Sequence, residues 1–537
     1  MANHFLGIDV GTGSARAGLF DEHGTLLASA KADIAIWHES GGTVEQSSND
    51  IWRAVCASVR DTVSKAGVPP ESVAGIGFDA TCSLVVLGQD GQPLAVGPSG
   101  DPERNIIVWM DHRATEQARR INGTGETVLN YVGGSISPEM ETPKLLWLAE
   151  NMPRTFTGAW QFMDLADFLT WKATASLARS VCTVTCKWTY LAHESRWDEG
   201  YFRRVGLGQL ADESFRRIGT EVVPGGTALG NGLTAQAAAE LGLRPGTPVA
   251  AGLIDAHAGG VGTVGARGNV GNVLTRMAYV FGTSACTMSS TREPAFVPGV
   301  WGPYFSAMVP GLWLNEGGQS AAGAAIDHLV QMHPASERAA KMARDSGIGL
   351  SQWLSQEAER RGGALAAARL IGDVHVVPEF LGNRAPFADP DARGLIAGLS
   401  MDTDLDGLVA LYLAGICGLG YGARQIVQVL AERAVLIDTI VVSGGAGQSP
   451  LVRQLLADTT GKVVAAPASE EPVLLGSAIL GAVAAGQHHD VAEAMSSMSA
   501  IGRTYPPNPM TAEWHEKRFR AFEMLQQTAR AIKNGSL

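Results

Sequence analysis

The run FLGIDVGTGSARAGLFDEHGTLLASA, residues 5–30, restricts the fold more than any other part of this chain. FLGIDV reads as an apolar strand, GTGS as a tight turn, ARAGLF as a second strand, DEHG as another turn and TLLASA as a third strand. Two short turns joining three strands make an antiparallel meander. A dinucleotide-binding unit would instead open a helix directly after the first glycines. Its fingerprint also needs glycine at the sixth position of the motif, where this chain has Arg16. A phosphate-binding P-loop needs Gly-Lys-Ser/Thr, and that triplet occurs nowhere. What remains is an aspartate near the end of a strand, followed by a Gly/Thr/Gly/Ser turn. Asp9 could hold a hydrated magnesium ion there, with Thr12 and Gly13 offering hydrogen bonds to phosphate oxygens. An ordinary tight hairpin explains the same residues, and the motif alone does not choose between the two.

The same grammar returns later. NVLTRMAYVFGTSACTMSS, residues 272–290, gives strand, turn and strand again, after a helical or loop stretch, AHAGGVGTVGA. IDTIVVSGGAGQSPLVRQLLADTTG, residues 437–461, reads as a buried strand, a glycine-rich turn and a helix whose N-terminus can receive an anion. EPVLLGSAILGAVAAG, residues 471–486, is a small-residue helix able to pack closely against backbone. A chain of 537 residues is too long for one ordinary core, so two large α/β domains facing a cleft are expected. Each domain would offer one Gly/Thr/Ser turn to a triphosphate. The boundary falls near residues 252–262, where glycines are dense enough for a hinge.

A net charge of −12 argues against sequence-independent nucleic-acid binding. Six sparse cysteines fit a reducing compartment, and CTVTC (Cys182 to Cys186) reads as buried free thiols, since no second pair or matching histidine cluster completes a metal site in sequence. The start MANHFLGIDV lacks the marks of a signal peptide. GLVALYLAGICGLGYGA, residues 407–423, is short, rich in Gly and Ala and followed by Arg424, which favours a buried helix over a membrane span. A soluble, cytoplasmic protein is expected.

FLGIDVGTGSARAGLF, VFGTSACTM and VVSGGAGQSPLVRQLLADTTG together match the nucleotide-binding elements of the actin, Hsp70 and sugar kinase fold. Within it the chain resembles the FGGY carbohydrate kinases over about five hundred residues, with VWMDHRA, KLLWLAEN, AGLIDAHAGG and GNRAPFADPDARG as further matching pieces in order. One departure is Glu141, which stands where the family signature before KLLWL has a small residue or proline. The resemblance implies two ribonuclease H-like α/β domains flanking an ATP and sugar cleft. These are an N-terminal domain over residues 1–254, a C-terminal domain over 255–500 and an extension over 501–537. It implies ATP and Mg²⁺ as cofactors and a homodimer as the assembly.

The resemblance makes Asp255 the catalytic base, because a sugar hydroxyl attacking the γ-phosphorus must lose its proton to a group within reach. An N-cap role for Asp255 is the structural alternative, and His257 is read as a packed or hydrogen-bonded core histidine. Asp9 would organise Mg²⁺. Thr12, Gly13, Ser14, Gly282 and Thr283 would clamp phosphates, and Gly444, Gly445 and Ser449 would border the adenosine. Similarity to ribulokinases assigns sugar binding to Thr81, Cys82, Lys187, Asp255 and Glu316, with Lys187 placed in a strand-like run. Asp111 and Arg113 line the pocket or pair with each other, and Arg384 and Asp389 could equally be a structural ion pair. TCSLV resembles the D-ribulokinase branch, which makes D-ribulose the expected substrate. Ribitol, L-ribulose and xylulose are the competitors, and an actin- or Hsp70-like ATPase or a sugar sensor is the non-kinase alternative.

Overall fold

The structure, a computed structural model, describes residues 3–535. The opening meander forms as β1 (His4–Val10), β2 (Ser14–Phe20) and β3 (Leu26–Asp33), with Val10 paired to Ala15 across the first turn. On the other side of β1, β4 (Val73–Ala80) and β5 (Leu253–Ile254) add in parallel, giving the order β5-β4-β1-β2-β3.

The second sheet contains β6 (Arg276–Phe281), β7 (Ala285–Thr291), β8 (Trp301–Phe305), β9 (Trp313–Gln319), β10 (Thr439–Ser443), β11 (Val463–Pro467) and β12 (Ile501–Tyr505). Its order is β8-β9-β7-β6-β10-β11-β12. The central run β11-β10-β6-β7-β9 repeats the first sheet's order and strand directions, antiparallel at β6-β7 and β7-β9 and parallel at β6-β10 and β10-β11. These are the paired ribonuclease H-like domains expected from the sequence.

The helices that shape the cleft are α1 (Val181–Trp188), α2 (Asp255–Val261), α3 (Leu405–Ala431), α4 (Pro450–Thr460), α5 (Pro472–Ala484) and α6 (Ala512–Lys533). The CTVTCKW run is helical, not a strand. The Ser180 hydroxyl accepts from the N–H of Cys182 as an N-cap, and every residue of α1 is buried, so the apolar pattern carries no period that distinguishes the two. Most of α3, which contains the apolar run of residues 407–423, is buried in the second domain's core, as expected.

Helix α5 lies in sequence between β11 and β12 of the second sheet yet packs on the first. A side chain at Gly77 of β4 would meet the Ser477 carbonyl at 1.9 Å, and one at Gly7 of β1 would meet Leu474 equally closely, at 1.9 Å. Only glycine allows the two backbones this approach. On its other flank Gly476 sits against Ala258 of α2. One hydrophobic core therefore runs from Phe5 and Leu84 through Leu474 and Leu480 to Tyr304 and Leu314.

Candidate active site

A cavity of about 580 Å³ opens between the two sheets. Asp9, Thr12 and Ser14 enter it from the β1-β2 turn, Gly282 and Thr283 from the β6-β7 turn, and Gly444 and Gly445 from the turn after β10. Thr81 and Cys82 follow β4, Lys187 comes from α1, Asp255 opens α2 and Glu316 lies on β9; all five line the same cavity. Two of the residues that the resemblance assigns to the nucleotide lie off its wall. Ser449 caps α4, its hydroxyl accepting from Val452 N–H, and the Gly13 carbonyl accepts from Ile34 N–H at 3.2 Å.

At one end, Asp9 is buried and held by Arg16, whose Nε donates to its carboxylate at 2.9 Å. A second guanidinium nitrogen reaches Glu471 at the start of α5, at 3.0 Å. Beside Asp9 in the β1-β4 register lies Asp79, wholly buried. Burial and then the Asp9 charge push its carboxyl well above the usual range, although the Ser477 hydroxyl donates to it at 2.5 Å. Its other oxygen has no protein partner among the described residues. A carboxylate on the cavity wall, with phosphate-sized turns on both sides of the cavity, suits Mg²⁺, which is held through one or two carboxylates, waters and phosphate oxygens. Trp109 Nε1 donates to Thr12 Oγ1 at 3.0 Å, which occupies the hydroxyl's acceptor side and leaves its proton for a ligand oxygen.

At the middle, the half-buried Asp255 accepts from the N–H of Ala256 at 2.7 Å. It is the first residue of α2, one place beyond the cap at Ile254. Burial, and next the Asp9 carboxylate, raise its pKa to about 6, against the opposing pull of His257 and Lys187. That value suits a group that must be ionised at neutral pH and still take up a proton.

At the far end, Glu316 would be raised by burial, but Lys187 and His257 draw it down to about 2. His257 is fully buried, as a packed core histidine should be, and it is also a connector. Its Nε2–H donates to Glu316 at 3.2 Å and its Nδ1–H to Cys182 Sγ at 3.0 Å. Burial opposes the imidazolium, but Cys182 and Glu316 raise it more, while burial opposes the Cys182 thiolate and the Cys186, His257 and Ile254 donors lower it. Each shift runs toward the charged form of its group. Cys182, Cys186 and His257 lie mutually within 4.8 Å, a grouping that sequence spacing could not reveal because the histidine is 75 positions away. The 3.0 Å Sγ to Nδ1 distance is that of a hydrogen bond; tetrahedral zinc would hold such atoms about 3.5 Å apart.

The two undecided pairs come out differently. Asp111 and Arg113 pair with each other at 2.8 Å, with Glu45 as a third member, away from the cavity wall. Arg384 and Asp389 do not pair. Asp389 takes Lys533 at 2.8 Å, and Arg384 lines the cavity. Glu141, the departure from the family signature, is buried 3.3 Å from Lys144. Sequence reasoning missed Trp109, Glu139 and Trp301 as members of the site; Trp109 stood inside VWMDHRA, whereas Glu139 and Trp301 carried no motif signal.

The profile of the FGGY family of carbohydrate kinases, N-terminal domain, matches residues 4–262, and that of its C-terminal domain matches residues 277–485. The chain belongs to the FGGY family of carbohydrate kinases. An FGGY carbohydrate kinase domain-containing protein of Homo sapiens is 45% identical over 527 residues, covering 97% of this kinase and 95% of the human protein. A D-ribulokinase of Saccharomyces cerevisiae is 38% identical over 514 residues, covering 90% of this kinase and 72% of the yeast protein. The crystal structure of a xylulose kinase from Rhodospirillum rubrum superposes with a TM-score of 0.78 at 21% identity, covering 99% of each chain, and shares the two-domain fold of this kinase.

Proposed function

We propose that this kinase transfers the γ-phosphoryl group of ATP to a hydroxyl of a five-carbon ketose, with D-ribulose giving D-ribulose 5-phosphate. The observation that carries the reading is the convergence in one cavity of both phosphate-type turns, a half-buried Asp255 poised at about 6, and the oppositely charged Lys187 and Glu316. The yeast D-ribulokinase relative supports the choice of sugar.

In this reading Lys187 donates to sugar oxygens, Glu316 accepts from sugar hydroxyls, and the backbone around Thr81 and Cys82 closes the pocket. The attacking hydroxyl gives its proton to Asp255 as its oxygen bonds to the γ-phosphorus, and the bond from that phosphorus to the bridging oxygen of ADP breaks. Thr12 and Thr283 hold phosphate oxygens from opposite domains. Gly282 lets the backbone approach the nucleotide, Ser14 supports the same clamp, and Gly444 and Gly445 border the adenosine. Asp9 is the residue that would hold Mg²⁺, which when bound with ATP neutralises phosphate charge. Arg16 would exchange its grip on Asp9 for the nucleotide's phosphates. Six free cysteines and the burial of α3 support a soluble protein of a reducing compartment, the cytoplasm.

The test is ADP release over D-ribulose, L-ribulose, D-xylulose, L-xylulose, ribitol and glycerol. The highest kcat/KM is expected with D-ribulose. A clear preference for another pentulose or ribitol changes the sugar, and ATP turnover indifferent to every sugar overturns the kinase reading.

A further inference from the structure

Arg384 sits in the loop that also carries Asp389, and the two do not pair. Residues 383 and 389 close the loop with two backbone hydrogen bonds, each 2.8 Å, and the Asn383 side chain braces it by accepting from Phe387 N–H at 3.0 Å and donating to Glu379 at 2.6 Å. The loop presses on Gly299, where a side chain would meet the Pro386 carbonyl at 1.8 Å. Two residues on, β8 begins with Trp301, and the Arg384 guanidinium lies 5.4 Å from that ring's centre. The Lys187 ammonium lies 4.7 Å from the same ring.

Neither cation forms an ion pair among the described residues. The single hydrogen bond of the Arg384 side chain runs to Cys286 Sγ at 3.5 Å, which leaves most of a guanidinium's five donors unspent. A cation in so enclosed a site is costly unless something accepts from it. Burial opposes its charge, and the surrounding Glu139, Cys286 and Glu316 restore it. These neighbours belong to the sugar end of the cavity; Asp9 and the nucleotide turns are not among them.

We propose that Arg384, seated on Trp301 and working with Glu139, is a second hydroxyl-binding subsite that holds and orients the sugar in this pocket. The inference rests on the sugar kinase reading above. A hydroxyl both donates and accepts, whereas arginine and lysine only donate and carboxylates only accept. A wall that carries Arg384 and Lys187 together with Glu139 and Glu316 reads both halves of each hydroxyl.

The test compares native kinase, R384M and R384K with D-ribulose and its singly deoxygenated analogues, varying sugar and ATP in turn. R384M is expected to raise the KM for D-ribulose about 10- to 100-fold, the size of a lost charged hydrogen bond, with the KM for ATP within twofold. One deoxy analogue should lose affinity with native kinase and lose nothing further with R384M, which identifies the hydroxyl held. R384K keeps the charge without the fork and should show a smaller rise with the same coupling, so the proposal stands on a second variant if R384M fails to fold. A KM for D-ribulose unchanged in both variants, or no coupled deoxy position, would overturn the subsite. A native enzyme stimulated by no sugar would instead overturn the kinase reading beneath it.

Discussion

The two hairpins that face each other across the cavity occupy the same place in two sheets of one topology, yet their chemistry differs. In the first, Asp9 precedes Val10, Gly11 and Thr12; in the second, Val280 precedes Phe281, Gly282 and Thr283. The turns offer similar backbone and hydroxyl donors, so either can touch a phosphate. Only the first carries a carboxylate, and only there do an arginine and a second buried carboxyl group gather around it. Repetition of a fold thus supplies two clamps, and the single substitution of position within the strand decides which one handles cation chemistry.

The sharpest test leaves both hairpins intact and removes what lies between them. D255N should lower kcat about 10²- to 10⁴-fold while sugar and ATP binding by calorimetry change little. Retention of more than a tenth of the rate would remove Asp255 as the base. Next, D9N should lower kcat/KM about 10²-fold or more and raise the Mg²⁺ concentration needed for half-maximal rate, whereas T283A should cost about 2- to 10-fold, the worth of a neutral hydrogen bond, with no change in Mg²⁺ demand. Equal effects on Mg²⁺ demand would erase the asymmetry between the turns.

A smaller effect concerns the far end of the pocket. H257Q removes the cation between Cys182 and Glu316, so Glu316 should titrate nearer its ordinary range. Sugar KM is then expected to rise about tenfold, and to rise further as pH falls from 6 to 4, where the native enzyme shows no such limb because Glu316 stays ionised down to about 2. The native kcat should fall in acid for a different reason. Asp255 must be ionised to accept a proton, so activity present above about 6 is lost as pH drops through that value. A profile flat from pH 5 to 8 would contradict the assignment.

The hairpins, the Asp255 motif and the small-residue helix were legible in sequence because each is a local pattern with a steric reason: turn glycines, an apolar strand ending, a run too small to fill space. The β1-β2 turn could not be told from a plain hairpin until its partner turn stood opposite. Helix α1 was misread as a strand because β-branched and cysteine residues buried on every side leave no period to follow. The links of Cys182 to His257 and of Asp79 to Ser477 join residues 75 and 398 positions apart, and no local pattern encodes such a contact. Arg384 and Asp389 were open in sequence between a place in the site and an ion pair; in the structure Asp389 pairs with Lys533 and Arg384 lines the cavity.

Helix α5 has a thermodynamic consequence. Its apolar side chains belong to a core that reaches both sheets, and its glycine and serine backbone is fitted to β1 and β4 of the first domain. The two halves matched by separate family profiles therefore do not melt independently. Calorimetry should give one transition with equal calorimetric and van't Hoff enthalpies, and residues 1–254 expressed alone should lack a cooperative transition. The sheet is repeated but the molecule is a single folding unit, so damage at either end of the chain is felt by both clamps at once.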